Sequence, residues 1–141
     1  MRESNTPRVY IFSAERAELS PDTNEIRTGE MRQALDRAGV PYRLGEGVYN
    51  GIEETSFVVF GPEDEDLVYN LASDFAQDYV LVVAENDRTA YLADPLDGEL
   101  THLGVFEQVT AAEAKGVDHT VVGFSHYIVR PTSGPDLPEG F

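Results

Sequence analysis

The stretch GVYNGIEETSFVVF, residues 47–60, decides how the rest of the chain is read. Its second half, Thr55 to Phe60, is apolar on both alternating faces, the pattern of a central strand buried on both sides. Its first half is different. Gly45, Gly47 and Gly51 make residues 45–53 read as a loop, with Val40 to Leu44 as a short strand before it. Glu53 and Glu54 stand where the two halves meet, carboxylates at the mouth of a core strand. On extended backbone they point to opposite faces, so they make a poor acid/base dyad, and Glu54 shares its face with Ser56 and Val58.

Working outward, two helices flank this region. Ser20 followed by Pro21 is an N-cap with proline at the first helical position, and Asp22 and Glu25 place negative charge in the first turn. Met31, Ala34, Leu35 and Ala38 then repeat at helical spacing up to Gly39, a C-terminal stop. A second helix starts at GPEDED and carries the stripe Leu67, Val68, Leu71, Ala72 and Phe75. Arg8 to Ser13 and Tyr79 to Val83 read as strands, and Glu85-Asn86-Asp87 as a hairpin turn into Arg88 to Leu92. Residues 100–106 and 119–129 are further strands, the latter interrupted by Gly123 as by a bulge.

The order β-α-β-β-α-β-β-β-β predicts an α/β (α+β) fold: a single mixed β-sheet with two main helices packed on one face. Residues 1–130 form one domain on this reading, and the Pro/Gly-rich segment 131–141 a C-terminal tail. No apolar run is long enough to span a membrane, and the N-terminus has no signal-peptide core, so a cytoplasmic protein is expected. The absence of cysteine excludes disulfides, thiolate metal sites and cysteine nucleophiles.

Charge is distributed unevenly. The 26 acids and 10 bases leave a net charge of −16. Residues 1–43 hold seven acids and seven arginines, so the whole excess falls on residues 44–141, where only Arg88, Lys115 and Arg130 are basic. Direct binding to a nucleic-acid backbone is disfavoured, since phosphate neutralisation needs clustered bases. An acidic surface of Glu63, Asp64, Glu65, Asp66, Asp94, Asp97 and Glu99 suits a basic protein partner instead, or serves solubility alone.

Extended backwards, the stripe of the first helix passes through Asn24, Arg27 and Thr28, so its inward face is polar at the start. Arg27 then aims at the strand ends near Glu54, and Gln77 reaches the same neighbourhood. Asn24, Arg27, Glu54 and Gln77 are the ligand-binding candidates, in a pocket where an anion would be welcome. The same groups read first of all as a partly buried Arg–Glu pair, with an Asn cap, that fixes the helix orientation. The three histidines, His102, His119 and His126, match no compact ligand spacing, so no metal is expected, and no cofactor motif is present. Neither a G-x-S-x-G elbow nor a P-loop occurs.

The pattern Asn24-x-x-Arg27, the helix stop at Gly39, Glu54-x-Ser56-Phe57-x-Val59 and Phe75-x-Gln77 resembles domain of unknown function 3293, a family of small bacterial and phage proteins. The likeness covers about residues 10–83, but SAERAELSPD follows the first strand where that family has an aromatic, asparagine-rich turn. The resemblance brings no activity; it supports the choice of Asn24, Arg27, Glu54 and Gln77. With no nucleophile, base pair or metal motif legible, an interaction protein is favoured over an enzyme. The expected function is a phage or mobile-element decoy that mimics nucleic acid and binds a basic, nucleic-acid-handling host protein. The alternative is a small anion- or nucleotide-binding module, or an enzyme, built around Arg27 and Glu54.

Overall fold

The computed structural model describes residues 7–49 and 51–131, the side chain of Pro62 excepted. Its strands are β1 (Arg8–Phe12), β2 (Arg43–Tyr49), β3 (Ile52–Phe60), β4 (Val80–Ala84), β5 (Thr89–Ala93), β6 (Leu100–Val109), β7 (His119–Val122) and β8 (Ser125–Pro131). Helix α1 (Pro21–Ala38) joins β1 to β2. A 3-10 turn (Pro62–Asp64) leads into α2 (Glu65–Asp74) between β3 and β4, and the short α3 (Ala111–Ala114) precedes β7. Beyond Pro131, the expected tail lies outside the described residues.

The strands close into a barrel in the order β1-β3-β2-β7-β8-β6-β5-β4, with β4 pairing back onto β1. Every neighbouring pair is antiparallel. This overturns the expected α/β fold with a single mixed sheet, and two misread segments account for the error. Residues 45–53, taken as a glycine-rich loop, are most of β2, its turn and the start of β3, paired in register from Arg43↔Val58 to Tyr49↔Ile52. The glycines are there for close approach. A Cβ on Gly45 would lie 2.7 Å from the carbonyl oxygen of Val121 on β7, and one on Gly47 would lie 2.5 Å from the Tyr49 ring. Residues 119–129 are not one bulged strand but a hairpin: Gly123 takes φ +62° in the turn, and Val122 pairs with Ser125. With both hairpins formed, β2 reaches β7 and the sheet has no free edge.

Antiparallel closure gives each strand an inner and an outer face. Val9, Ile11, Val58, Val83, Ala90 and Phe106 form one buried cluster, joined by Leu81, Leu103, Val122, Tyr127 and Val129; these side chains face the lumen. The alternate residues Tyr10, Phe12, Phe57, Val59, Val80 and Val82 belong to a second cluster with Met31 and Leu35 of α1 and Val68, Leu71 and Ala72 of α2. That explains the apolar runs of β1, β4 and the second half of β3. They are buried on both faces because the lumen lies on one side and the helices on the other.

Helix α1 starts as its sequence signals say. Ser20 has extended backbone and its Oγ accepts from the Thr23 amide at 3.1 Å; Gly39 ends the helix in the left-handed region at φ +72°. A β-bulge falls between Ala90 and Tyr91, where β6 carries the extra residue Leu103 next to Gly104. No helix among the described residues is long and apolar enough to cross a membrane.

Candidate functional site

One end of the barrel, where β1 and β2 finish and β3, β4 and β7 begin, opens into a cavity of about 770 Å³. That volume lies within the usual span of small-molecule pockets. Period-two alternation places its wall residues. Glu54 and Ser56 come inward from β3 with Val58, Thr120 from β7, Tyr127 and Val129 from β8, and Tyr49 from β2 across the gap left by Gly47. Gln77, Asp78 and Tyr79 complete the rim before β4, and Asp118 completes it before β7.

The wall is aromatic and the rim is acidic. Phe106 and Tyr127 stack nearly parallel, with centroids 4.8 Å apart and planes 8° from parallel. The Tyr49 hydroxyl lies 3.4 Å from that of the buried Thr120. Burial raises the Tyr49 pKa above the usual tyrosine value; the Thr120 hydroxyl works against this, while the Glu54 and Asp118 carboxylates add to it. Glu54 is half-buried, and its carboxyl is pushed above the ordinary range first by burial and then by repulsion from Glu15. Glu15 approaches because its carboxylate accepts from the Thr55 amide at 2.8 Å. A raised carboxyl in a partly water-excluded cavity favours a cation or a transferable proton over an anion.

The four residues singled out from sequence divide between two tasks. Glu54 and Gln77 line the cavity, whereas Asn24 and Arg27 are absent from its lining. Arg27 does not pair with Glu54. Its Nε donates to the Ala14 carbonyl at 2.7 Å, its Nη2 donates to the Phe75 carbonyl, and its guanidinium lies 5.5 Å from the centre of the Phe75 ring. Asn24 holds the Arg16 backbone from both sides, accepting from its amide and donating to its carbonyl at 2.9 Å each. Gln77 donates to the Glu15 carbonyl at 3.0 Å. Three of the four candidates therefore secure the segment after β1 that carries Glu15, next to the cavity.

Of the acidic residues read as one surface, Glu65, Asp66 and Asp97 line one cleft, and several make local bonds. Glu65 accepts from Arg8 and from the Tyr10 hydroxyl at 2.8 Å each. Asp94 and Asp97 accept from the amides of Leu96 and Glu99, so each closes a turn. Glu63 and Asp64 occupy the 3-10 turn. A second cleft, of about 540 Å³, lies outside the barrel between α2 and the β5–β6 turn, but its Arg8 and Glu65 already satisfy each other. Among the described residues no group of three or more His, Asp or Glu side chains is placed to hold a metal ion.

Sequence reasoning missed Tyr49, Phe106, Asp118, Thr120 and Tyr127 as one site. They come from four strands and a loop that only barrel closure unites. The readable signal was the alternation itself: Tyr127 and Val129 on one face, Glu54, Ser56 and Val58 on another.

A model of the S-adenosylmethionine lyase family matches residues 10–129, from β1 to β8, the same strands that enclose the cavity. The chain belongs to the S-adenosylmethionine lyase family. No curated protein matches the sequence. Membership in the lyase family replaces the resemblance to domain of unknown function 3293. The short motifs behind that resemblance are accounted for here by a capped helix and the anchoring of one loop. The phage-decoy and nucleic-acid-mimic reading falls with it, because the family points to an enzyme acting on a small molecule. The alternative of a ligand-binding module or enzyme lies closer to the lyase family, though its pocket centres on Glu54 without Arg27.

Proposed function

We propose that this chain binds S-adenosylmethionine in the barrel lumen and cleaves it as a lyase, in the cytoplasm, a compartment that suits a cysteine-free sequence. The observation that carries the reading is the family match over the strands that wall the cavity. The cavity supports it independently. S-adenosylmethionine joins an aromatic adenine to a sulfonium cation, and the site joins an aromatic wall to carboxylates at Glu54 and Asp118.

A lyase breaks its bond without water. As the C–S bond breaks, the electron pair leaves on sulfur, so the sulfonium departs as a neutral thioether. The carbon's replacement bond comes from within the substrate. Either a neighbouring C–H bond supplies the electrons and a base takes the proton, or the substrate's own carboxylate attacks. Glu54 is the group placed to act. Its raised pKa gives it basicity above that of an ordinary carboxylate, and when ionised it offsets the sulfonium charge on binding.

The test is to incubate the protein with S-adenosylmethionine and weigh the products. The expected result is two fragments whose masses sum to that of the substrate, with kcat lowered about 100-fold or more in Glu54→Gln. Intact substrate, or products carrying an added water, would sink the proposal. Deuterium on the carbon next to the broken bond distinguishes the routes, since only base-assisted elimination slows on deuteration.

A further inference from the structure

The segment that leaves β1 is irregular, yet side chains hold its backbone in place. Ser13 to Arg16 belong to no strand or helix. Three successive carbonyls there each accept from a side chain: Ala14 from Arg27 at 2.7 Å, Glu15 from Gln77 at 3.0 Å and Arg16 from Asn24 at 2.9 Å. Two amides are held as well, that of Glu15 by the Ser13 hydroxyl at 3.0 Å and that of Arg16 by Asn24 at 2.9 Å. The Arg16 guanidinium ties the segment to the Ala76 carbonyl. Ordering a loop costs conformational entropy, and these bonds offset it. What they present is the Glu15 side chain. β1 ends opposite β3 at the pair Phe12↔Phe57, whereas β3 begins at Ile52. Beyond that pair the Glu15 carboxylate takes over from β1, accepting from the Thr55 amide at 2.8 Å. That amide belongs to the peptide unit joining Glu54 to Thr55, so the two glutamates meet at one peptide bond. Glu54 carries its carboxyl into the cavity, while Glu15 is not part of the lining. A glutamine would satisfy the Thr55 amide equally well and spare the repulsion, so the hydrogen bond alone does not account for a charge there.

We infer that Glu15 is a positioning residue: held behind the wall by the anchored segment, its charge sets how tightly Glu54 keeps a proton. Its part in the reaction rests on the function proposed above, in which Glu54 is the group placed to act. A carboxylate beside a second one gives up its proton less readily, and the effect needs the two held at close quarters. Burial is the larger cause of the raised Glu54 pKa, and the Glu15 charge adds to it. Asn24, Arg27 and Gln77 thereby share one task, keeping Glu15 in place. Other titratable groups border the cavity: Tyr49 on β2, Asp78 and Tyr79 before β4, Asp118 and His119 where β7 begins, and Tyr127 on β8. Glu15 is set apart from them by its attachment to the Glu54–Thr55 peptide unit.

The first experiment needs no substrate. In the whole chain, labelled with isotope at the glutamate carboxyls, NMR follows the Glu54 signal against pH, identified by its loss in Glu54→Gln. The Glu54 midpoint should move to lower pH in Glu15→Gln, which keeps an acceptor for the Thr55 amide and so nearly preserves the melting temperature. Asp118→Asn, which removes a different charge beside the cavity, should move it less. The Glu54 curve of the unmodified protein should also carry a second inflection, the sign of a coupled neighbour, and this holds the inference to account even where a variant does not fold. An unmoved midpoint in folded Glu15→Gln, or a single-step curve in the unmodified protein, would reduce Glu15 to a structural part. The second experiment is the pH profile of kcat/KM for cleavage of S-adenosylmethionine. Its acid-side limb should shift to lower pH in Glu15→Gln together with the Glu54 midpoint. A limb that stays in place while the midpoint moves would remove Glu15 from the reaction. If the unmodified protein leaves S-adenosylmethionine intact while Glu54 still answers to Glu15, the proposed function fails and the pairing stands. If it cleaves S-adenosylmethionine and Glu54 does not answer, this inference fails alone.

Discussion

The two halves of the barrel are built on different principles. On the side of β1, β3 and β4, both faces of the sheet are buried, one in the lumen and one under α1 and α2. On the side of β2, β7 and β8, no helix covers most of the outer face, and residues such as Glu46, Val48, Ile128 and Arg130 remain partly or fully exposed. The covered half holds most of the fully buried side chains. The other half brings Tyr49, Thr120 and Tyr127 to the cavity and borders Asp118. Stability and the proposed chemistry are therefore drawn largely from opposite sides of one closed sheet, and Glu54 stands on the covered side facing across.

This contrast can be broken by substitutions chosen on each side, the most damaging first. Gly104 lies where β6 meets β8, and any Cβ there would overlap the backbone carbonyl of Arg130. Gly104→Ala should lower stability by more than about 3 kcal/mol, because backbone cannot step aside as a side chain can; urea denaturation checks it, and a loss under 1 kcal/mol would show that β6 and β8 separate easily. Leu35 is fully buried beneath the covered half. Leu35→Ala should cost about 3 kcal/mol while the folded protein keeps its kcat, which would fail if helix packing and site geometry were coupled.

Arg27→Ala removes the bonds to the Ala14 and Phe75 carbonyls. A stability loss of about 2 kcal/mol is expected, with only a modest change in activity through the loosened Glu15 segment. A hundredfold loss of kcat in a fully folded variant would place Arg27 in the chemistry after all. The smallest effect is electrostatic. Glu54 has a folded pKa above its unfolded value, so the native state holds its proton more tightly. The resulting stability is fully present below the ordinary glutamate pKa, about 4.3, and is lost as pH rises through the raised value. Glu54→Gln should therefore flatten the fall in melting temperature above that pH. An unchanged slope would mean that the carboxyl is better solvated than its position implies.

How much could be read in advance follows the same division. The covered half announced itself: Ser20, Pro21 and Gly39 bound α1 closely, and the apolar runs at Arg8–Phe12, Thr55–Phe60 and Val80–Val83 mark strands. What those runs do not reveal is whether the second buried face meets a helix layer or the inside of a ring, since both remove it from water equally. The other half was obscured by its own construction. Gly45 and Gly47 look like loop residues by composition, yet they are strand positions kept bare by Val121 and Tyr49, residues that only closure brings near. Gly123 has the same ambiguity between bulge and turn. Of the four candidate residues, Glu54 and Gln77 reach the cavity because strand alternation and chain proximity put them there. Arg27 was misassigned because a helical stripe tells which way a residue faces but not which carbonyls wait for it.

Closure also has a consequence in time. The ring joins Gly45 to Val122 and Arg8 to Ala84, partners far apart along the chain, and such contacts repay their loop entropy only after the intervening segments have been gathered in. The barrel should accordingly refold slowly for its size, and the β7–β8 hairpin, which follows the other six strands along the chain, is the piece that completes the circle. Until it docks, β2 and β6 are open edges able to pair with other chains, and no lumen exists to hold a substrate. The cavity thus arrives all at once, when the ring closes.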